Sequence, residues 1–331
     1  MMSLTNEHTC TILFAPICGR AVGFGHVSRC LSIATYSEHN KSYLLLPEGL
    51  DIVDERLTNV TIIHSIEQLT QCDIIISDQL DAPVLEIQQA KKQFSCCVVS
   101  LDHYQNTAPA DLIINLKSLP AKLSEAQCKA VAGLEFAIIA PKFENYRTPK
   151  KVQQQIHNVL IMYGGSDPNQ YTLSTLEFLL SLDKKLNITV ILGPLNPLYK
   201  QVCDMQNSKK ATVNIHSAPV QLAHYMSNQD LAFCGCGTSL FELSYLGTPC
   251  IVRAQNEREK MFINDIAHYE LAIDADDDYQ KAWQQVQGFQ IRQKMTVSQQ
   301  NTIDGYGVNR ILKLCEQLIA DKQTQKVEHY E

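Results

Sequence analysis

The sequence predicts an α/β protein with two doubly wound parallel sheets, one in each half of the chain. Three observations support this fold class. Short, wholly apolar runs recur along the chain, helical segments alternate with them, and a glycine turn follows the first run of each half. Apolar runs without polar alternation are typical of strands buried on both faces of a parallel sheet. Their alternation with helices is typical of doubly wound folds.

The predicted elements follow in order. In the first half, TILFAPI is a strand, a helix runs from about Val27 to Ser37, and APVLEIQQAKKQF is a later helix; the other strand candidates are SYLLLP, VTIIHS, DIIISD, CCVVSLD and DLIIN. A new series begins at NVLIMYGGSDP and continues through NITVILGP, TVNIHS, DLAFCG and TPCIVR before long helical material. Both series open with strand, glycine turn and helix.

The domain boundary is predicted at the polar segment ENYRTPKKVQQQIH, which contains Pro149. We therefore divide the chain into domains 1–150 and 151–331, with the last helix free to pack back on the first domain. Ligands of open α/β sheets bind at the carboxyl ends of the strands. We expect the two sets of strand ends to face each other across a cleft.

Composition excludes several functional classes. The 331 residues are 45% hydrophobic and 19% charged, with a net charge of −7 and no basic cluster, which disfavours a nucleic-acid partner. The apolar runs are far shorter than the roughly 20 residues of a membrane span, and the polar N-terminus is unlike a signal peptide. The 12 cysteines include no C-x-x-C pair. We expect a cytoplasmic monomer with reduced thiols, no metal, no cofactor and no membrane insertion.

The first motif is Gly23-Phe24-Gly25-His26 with Arg29 one turn later, directly after the first strand. Glycines let the amides of a helix N-terminus approach an anion, and the helix dipole favours a neutral His26, the form that a general base needs. The spacing differs from the dinucleotide pattern, so no nicotinamide cofactor is expected. The structural alternative is that His26 caps the helix or packs against it.

The second motif is GGSDP, residues 164–168, which occupies the same place in the second half. Ser166 and Asp167 can cap a helix whose first position is Pro168, and this accounts for the motif completely. Gly164 and Gly165 also make room for a phosphate. The motif alone does not choose between the two interpretations.

The third motif is CGCGTSLFEL, in which Gly237 precedes a helix that starts with Thr238 and Ser239. These hydroxyls can cap the helix, and together with the backbone amides they suit a diphosphate. Glu242, one turn along, can accept hydrogen bonds from ribose hydroxyls or only offset the helix dipole.

Polar residues at other strand ends complete the set of candidates. Asp78 and Asp102 each end an apolar strand. Three roles are open for them: to hold sugar hydroxyls, to orient His26 or to cap the next helix. Asn256 follows the strand TPCIVR in the cluster QNER, which is otherwise typical of a solvated loop.

These pieces resemble a known family. GFGHVSRCLSIA, SDQLDAP, SLDHY, GLEFAIIAPKF, MYGGSDPNQYT and GTSLFELSYLGTP are similar, in this order, to the UDP-sugar hydrolases of pseudaminic acid biosynthesis. Those enzymes have the GT-B fold and are similar to the UDP-N-acetylglucosamine transferase of peptidoglycan synthesis. The resemblance covers about residues 12–272. It implies two Rossmann-like domains and release of UDP from UDP-2,4-diacetamido-2,4,6-trideoxy-β-L-altrose, with inverting attack by water.

The resemblance also implies roles for individual residues. His26 would activate the water with Asp78 beside it, Glu242 would bind the ribose, and the first domain would serve the sugar and the second the UDP. The remaining roles are diphosphate binding for Gly25, Gly165, Ser166, Gly237, Thr238 and Ser239, and sugar binding for Arg29, Asp102 and Asn256.

Two positions depart from the family pattern. Leu80 stands where the family has a tyrosine two residues after the position of Asp78, and Asn256-Glu257 replaces an Asn-Gln pair. Alternatives are therefore a glycosyltransferase of the same fold and a catalytically silent UDP-sugar-binding relative. Peptidoglycan-type transferases tend to carry proline at the position of Arg29, which favours the hydrolase.

Overall fold

In a computed structural model the chain forms two compact units. The first comprises Met1–Ile138 with Tyr306–Glu331, and the second comprises Ile139–Gly305. The structure describes residues 9–19, 24–37, 40–50, 52–79, 85–103, 110–116, 128–165, 167–193, 196–207, 211–276 and 278–328.

The regular elements alternate along the chain. The strands are β1 Thr11–Pro16, β2 Lys41–Leu45, β3 Thr61–Ile63, β4 Ile74–Asp78, β5 Cys97–Leu101, β6 Leu112–Asn115, β7 Lys129–Ala132, β8 Asn158–Met162, β9 Asn187–Leu192, β10 Thr212–Ser217, β11 Leu231–Cys234, β12 Cys250–Val252 and β13 Ile273–Asp274. The helices are α1 Gly25–Tyr36, α2 Leu85–Phe94, α3 Tyr171–Ser181, α4 Tyr199–Asp204, α5 Leu222–Ser227, α6 Thr238–Leu246, α7 Glu257–His268, α8 Tyr279–Val286, α9 Phe289–Thr302 and α10 Gly307–Glu328.

Both sheets are parallel and doubly wound over the residues that the structure describes. The seven-stranded sheet of the first unit has the order β3-β2-β1-β4-β5-β6-β7, and the six-stranded sheet of the second has the order β10-β9-β8-β11-β12-β13. The strand order reverses between β1 and β4 in one sheet and between β8 and β11 in the other. Such a switch point opens a crevice at the carboxyl ends of the strands. The predicted motifs after β1, β8 and β11 therefore all lie at switch points.

Apolar strands supply the core of each unit. Every residue of β1 and β4 is buried, as the continuous apolar runs predict for central strands of a parallel sheet. In the second unit, Phe233 and Trp283 belong to a core that also includes Leu176 of α3 and Ile188 of β9. Burial of each large apolar side chain contributes about 1.5–3 kcal/mol to the free energy of unfolding.

The segment that the sequence marks as a linker packs within the second unit. Arg147 donates hydrogen bonds to the carbonyl oxygens of Ile303 at 2.7 Å and Gln300 at 2.8 Å. Its guanidinium also lies 4.4 Å from the ring centroid of Tyr245. The two units accordingly divide at 138/139, whereas the sequence suggested 150/151, and α10 belongs to the first unit. The assignment of sugar chemistry to one domain and UDP binding to the other stays a prediction.

The fold class predicted from the sequence is confirmed: two α/β units with parallel, doubly wound sheets. Across the described ranges, no helix has both the length and the apolar character needed to cross a bilayer.

Candidate functional site

At the switch point of the first unit, His26 and Asp78 are hydrogen-bonded. Asp78 ends β4 and aligns with Pro16 at the end of β1, and His26 is the second residue of α1, which begins at Gly25. Nδ1 of His26 lies 2.8 Å from Oδ1 of Asp78. The Asp78 side chain is fully buried, whereas that of His26 is 17% exposed. The buried carboxylate of Asp78 thus holds the imidazole, while part of the His26 side chain is exposed to solvent.

Arg29 joins this pair to a second carboxylate. Its Nε donates to Oδ2 of Asp78 at 2.9 Å, its Nη2 donates to Oδ1 of the same carboxylate, and its Nη1 donates to Asp102. Asp102 follows β5 with a φ of +51°, a left-handed conformation that aspartate tolerates, and accepts the backbone N–H of Leu116 at 3.1 Å. One guanidinium between two carboxylates leaves a net charge of −1 beside the imidazole of His26.

The charges of the cluster determine which nitrogen of His26 can act as a base. Burial by itself would raise the pKa of Asp78, but the positive charge of Arg29 and hydrogen bonds from His26 and Arg29 outweigh it and lower that pKa. Burial alone would lower the pKa of Arg29, yet Asp78 and Asp102 raise it. An ionised carboxylate only accepts hydrogen bonds, so the 2.8 Å bond to Asp78 assigns the proton to Nδ1 of His26, and the longer 3.1 Å approach of Nη2 of Arg29 to that nitrogen is then not a hydrogen bond. Nε2 of the neutral ring is then the basic nitrogen.

The turn after β8 contains a close backbone approach. Gly164 has a φ of +77°, and a Cβ on Gly193 would lie 2.3 Å from the carbonyl oxygen of Gly165. Asp167 is buried and caps α3, because its carboxylate accepts the N–H groups of Tyr171 and Thr172 at 2.9 and 2.8 Å. The capping role considered for Asp167 is observed, but α3 begins at Tyr171, so Pro168 is not its first residue. Ser166 lies outside the described residues.

The turn after β11 leads into α6. Gly237 is the N-cap residue of this helix, so the N-cap residue has no side chain with which to cap it. The expectation that Thr238 or Ser239 caps the helix is therefore wrong, because both already belong to its first turn. Their side chains and that of Glu242 are half-buried. The first-turn amides of α6 are the groups that the diphosphate hypothesis requires.

The turn after β12 contains residues that sequence reasoning missed. Asn256, predicted to lie near the sugar, caps α7 by accepting the N–H of Glu259 at 3.0 Å. Oε2 of Glu259 in turn accepts the N–H groups of Cys236 at 3.0 Å and Gln255 at 2.9 Å. The signal was present in the sequence, since Asn at the N-cap with Glu three residues later matches the spacing of a capping box.

Arg253 is a cation at the same end of the second sheet that the sequence analysis did not single out. It follows β12, and its guanidinium lies 4.0 Å from the ring centroid of Tyr171 and 5.3 Å from that of Tyr279. Stacking against aromatic rings holds an arginine side chain in place while its guanidinium stays charged.

The predicted residues therefore form one group in each unit. Gly25, His26, Arg29, Asp78 and Asp102 lie at the strand ends of the first sheet, and Gly165, Gly237, Thr238, Ser239, Glu242 and Asn256 lie at those of the second. Within the described part of the chain, no group of three or more His, Cys, Asp or Glu side chains is placed to hold a metal ion.

Comparison with known proteins gives two relatives by sequence. No family model matches the chain. An uncharacterized protein of Methanocaldococcus jannaschii, MJ1062, is 28% identical in an alignment of 281 residues that covers 74% of this chain but only 55% of that protein. The chain thus spans about half the length of that archaeal relative. The spore coat polysaccharide biosynthesis protein SpsG of Bacillus subtilis is 22% identical over 274 residues, 77% of this chain and 80% of SpsG.

Solved structures similar to this chain include glycosyltransferases. MurG of Acinetobacter baumannii has a TM-score of 0.64 at 13% identity and covers 94% of this chain and 100% of its own. The calicheamicin glycosyltransferase CalG4 has a TM-score of 0.61 at 10% identity, over 95% of this chain and 99% of its own. At these identities the likeness shows the fold alone. The chain has the GT-B fold, built from two Rossmann-like α/β units.

Proposed function

We propose that the protein is a nucleotide-sugar hydrolase that releases UDP from a UDP-sugar by inverting attack of water at the anomeric carbon. The observation that carries this proposal is the hydrogen bond between His26 and the buried Asp78, with Arg29 holding the carboxylate in place. A histidine whose Nδ1 is bonded to a carboxylate presents Nε2 as a general base.

The proposed reaction needs one proton acceptor and a good leaving group. Nε2 of His26 takes a proton from water as the water oxygen forms a bond to the anomeric carbon. The bond between that carbon and the diphosphate oxygen breaks, and its electron pair leaves with UDP. The imidazolium that forms is stabilised by the net negative charge of the cluster around Arg29. The released sugar has the opposite anomeric configuration.

The proposed substrate is UDP-2,4-diacetamido-2,4,6-trideoxy-β-L-altrose or a related UDP-sugar. The similarity to SpsG, a protein of polysaccharide biosynthesis, supports a role in carbohydrate biosynthesis. We propose that the protein acts in nonulosonic acid biosynthesis, as a monomer in the cytoplasm. In the second unit, the first-turn amides of α6 with Gly165, Ser166, Gly237, Thr238 and Ser239 would hold the diphosphate, and Glu242 would bind the ribose.

The contacts of Arg29 refine its proposed role. The side chain is buried, and its Nε, Nη1 and Nη2 all donate to carboxylates. We therefore assign Arg29 to holding Asp78 and Asp102 in place, and leave direct contact with the sugar to Asp102 and Asn256. Asn256 is exposed and uses its Oδ1 to cap α7, which leaves its amide nitrogen for a ligand.

A glycosyltransferase is the second candidate, because the calicheamicin glycosyltransferase CalG4 shows that the same fold also serves sugar transfer. The same base would then take the proton from an acceptor hydroxyl in place of water. A silent UDP-sugar-binding protein is the third candidate, on the ground that Leu80, which lies outside the described residues, replaces the family tyrosine.

UDP release from a panel of UDP-sugars without acceptor tests the proposal. The panel includes UDP-2,4-diacetamido-2,4,6-trideoxy-β-L-altrose, and wild type is compared with His26→Ala. If the wild-type protein releases UDP and His26→Ala does not, the result supports the hydrolase. Tight UDP binding without release, followed by turnover once acceptors are added, would instead identify a transferase. UDP binding with neither hydrolysis nor transfer would support the catalytically silent UDP-sugar-binding protein.

A further inference from the structure

We infer that Glu259 is a positioning residue for the diphosphate: its carboxylate fixes the turn from Gly235 to Gly237 so that the first-turn amides of α6 face the anion. This inference rests on the proposed function, because it assigns a task to a residue beside the proposed UDP site. Glu259 lies outside the motif CGCGTSLFEL.

The carboxylate of Glu259 links two turns that are distant in sequence. Its Oε2 accepts the N–H of Cys236, in the turn between β11 and α6, and the N–H of Gln255, in the turn between β12 and α7. A carboxylate oxygen with two backbone donors forms charge-assisted hydrogen bonds, which are about twice as strong as neutral ones. The two turns therefore hold each other through one atom.

Gln255 extends this connection to a third strand end. Its Nε2 donates to the carbonyl oxygen of Tyr163 at 2.9 Å, just after β8, and its own carbonyl oxygen accepts from Nδ2 of Asn169 at 2.7 Å. Glu259 and Gln255 thus connect the ends of β8, β11 and β12. These are the three strand ends that carry Gly165, Gly237 and Asn256.

The glycines of the turn lie directly against these two side chains. A Cβ on Gly235 would be 2.8 Å from Nε2 of Gln255 and 3.3 Å from Oε2 of Glu259. A Cβ on Gly237 would be 3.7 Å from Oε1 of Glu259. The turn backbone therefore packs against the Glu259 carboxylate, and a Cβ at position 235 would displace the ends of the Gln255 and Glu259 side chains.

The arrangement divides the amides of the turn between two acceptors. Glu259 takes the N–H of Cys236, while the N-cap residue of α6 is Gly237, which has no side chain to occupy the amides that follow. The amide of Leu240 donates to the carbonyl oxygen of Gly237 at 3.0 Å, so the amides assigned to the external anion are those of Thr238 and Ser239. A glutamine at position 259 keeps an acceptor oxygen and removes the charge, whereas alanine removes both. The two substitutions consequently separate turn geometry from charge repulsion.

The test measures UDP affinity by titration calorimetry, and the Tm, for wild type, Glu259→Ala, Glu259→Gln and Glu257→Ala. Glu257 is the matched control, because it lies in the same first turn of α7, carries the same charge and is 86% exposed beside Lys260. We expect Glu259→Ala to weaken UDP binding about tenfold or more, Glu259→Gln to stay within about threefold of wild type, and Glu257→Ala within about twofold.

The outcomes separate this inference from the proposed function. If wild type binds no UDP, the proposed function fails and the inference falls with it. If wild type binds UDP and Glu259→Ala binds it equally well with a lowered Tm, the residue is structural and the inference alone is wrong. Tighter binding by either variant would mean that the carboxylate competes with the diphosphate, which also overturns it. Should Glu259→Ala fail to fold, Gly235→Ala displaces the same side chains and must weaken UDP binding.

Discussion

Asp78 is completely buried and yet ionised, and the imidazole of His26 lies 2.8 Å from it with 17% of its own side chain exposed. A buried carboxylate is costly unless it is paired, and here Arg29 supplies the pairing charge. With Asp78 as the acceptor, Nδ1 of His26 is the donor, which leaves Nε2 as the basic nitrogen. The first two predictions follow from this relationship.

His26→Ala should reduce UDP release by at least about a hundredfold, because it removes the general base. UDP affinity should stay within about twofold of wild type, since the proposed diphosphate and ribose groups belong to the second unit. Turnover and calorimetric titration of the same preparation check both expectations. Retained turnover would contradict the assignment of His26 as the base.

Asp78→Asn should lower the free energy of unfolding at pH 7 by about 3–5 kcal/mol, because it leaves the charge of Arg29 buried with a weaker partner. The folded protein binds the Asp78 proton less tightly than the unfolded chain, so the ionised carboxylate stabilises the fold above its ordinary pKa of about 3.9. This contribution is lost as the pH falls below that value. Urea unfolding from pH 7 to pH 3 should show the difference between wild type and variant narrowing in acid. A constant difference would contradict the prediction.

Glu242→Ala should weaken UDP binding about tenfold, because hydrogen bonds to a charged group contribute about 1.5–3 kcal/mol. Binding of inorganic pyrophosphate should change less than about twofold, since it has no ribose. Titrating both ligands into wild type and variant separates ribose recognition from a general loss of the site. Equal losses for the two ligands would exclude the ribose role.

Gly193→Ala should destabilise the second unit by about 1–3 kcal/mol and weaken UDP binding, because the new Cβ would meet the carbonyl oxygen of Gly165 at 2.3 Å. Gly49→Ala serves as a comparison: Gly49 has a φ of +73° but open space around its Cβ position, so it reports backbone strain without a clash. Thermal unfolding and UDP titration of both variants check this. A Gly193→Ala protein with wild-type Tm and affinity would contradict the close approach.

The sequence was sufficient for the central strands and for one edge strand of each sheet, β3 and β10, but not for the opposite edge strands β7 and β13. β1, β4 and β8 are apolar runs and were predicted, because central strands of a parallel sheet are buried on both faces. β7 has no fully buried residue, and β13 is only two residues long, so neither produces an apolar run. Pairing with a neighbouring strand, which composition does not encode, forms them.

The candidate site divides in a similar way. The suggestion that a strand-end aspartate orients His26 is observed for Asp78, because parallel register places the ends of β1 and β4 side by side. Glu259 escaped notice because it is 23 residues from Cys236 and lies inside a helix. The start of α6 at Thr238 was predicted, but the hydroxyls of Thr238 and Ser239 do not cap the helix, because Gly237 takes the cap position with an extended backbone. Catalytic and ligand-binding roles for these residues remain predictions.

The path of the chain through the two units has a practical consequence. The second unit is one continuous stretch inserted into the first, and the points where the chain leaves and re-enters the first unit are neighbours: a Cβ on Gly307 would lie 2.1 Å from the carbonyl oxygen of Ala137. A fragment ending at residue 150 would lack α10, whose Lys322 donates to the carbonyl oxygen of Cys96 at 2.8 Å. A short glycine linker that joins residue 138 directly to residue 306 would instead turn the first unit into one continuous chain. Residues 139–305 could then be produced separately, and UDP binding measured for each unit on its own.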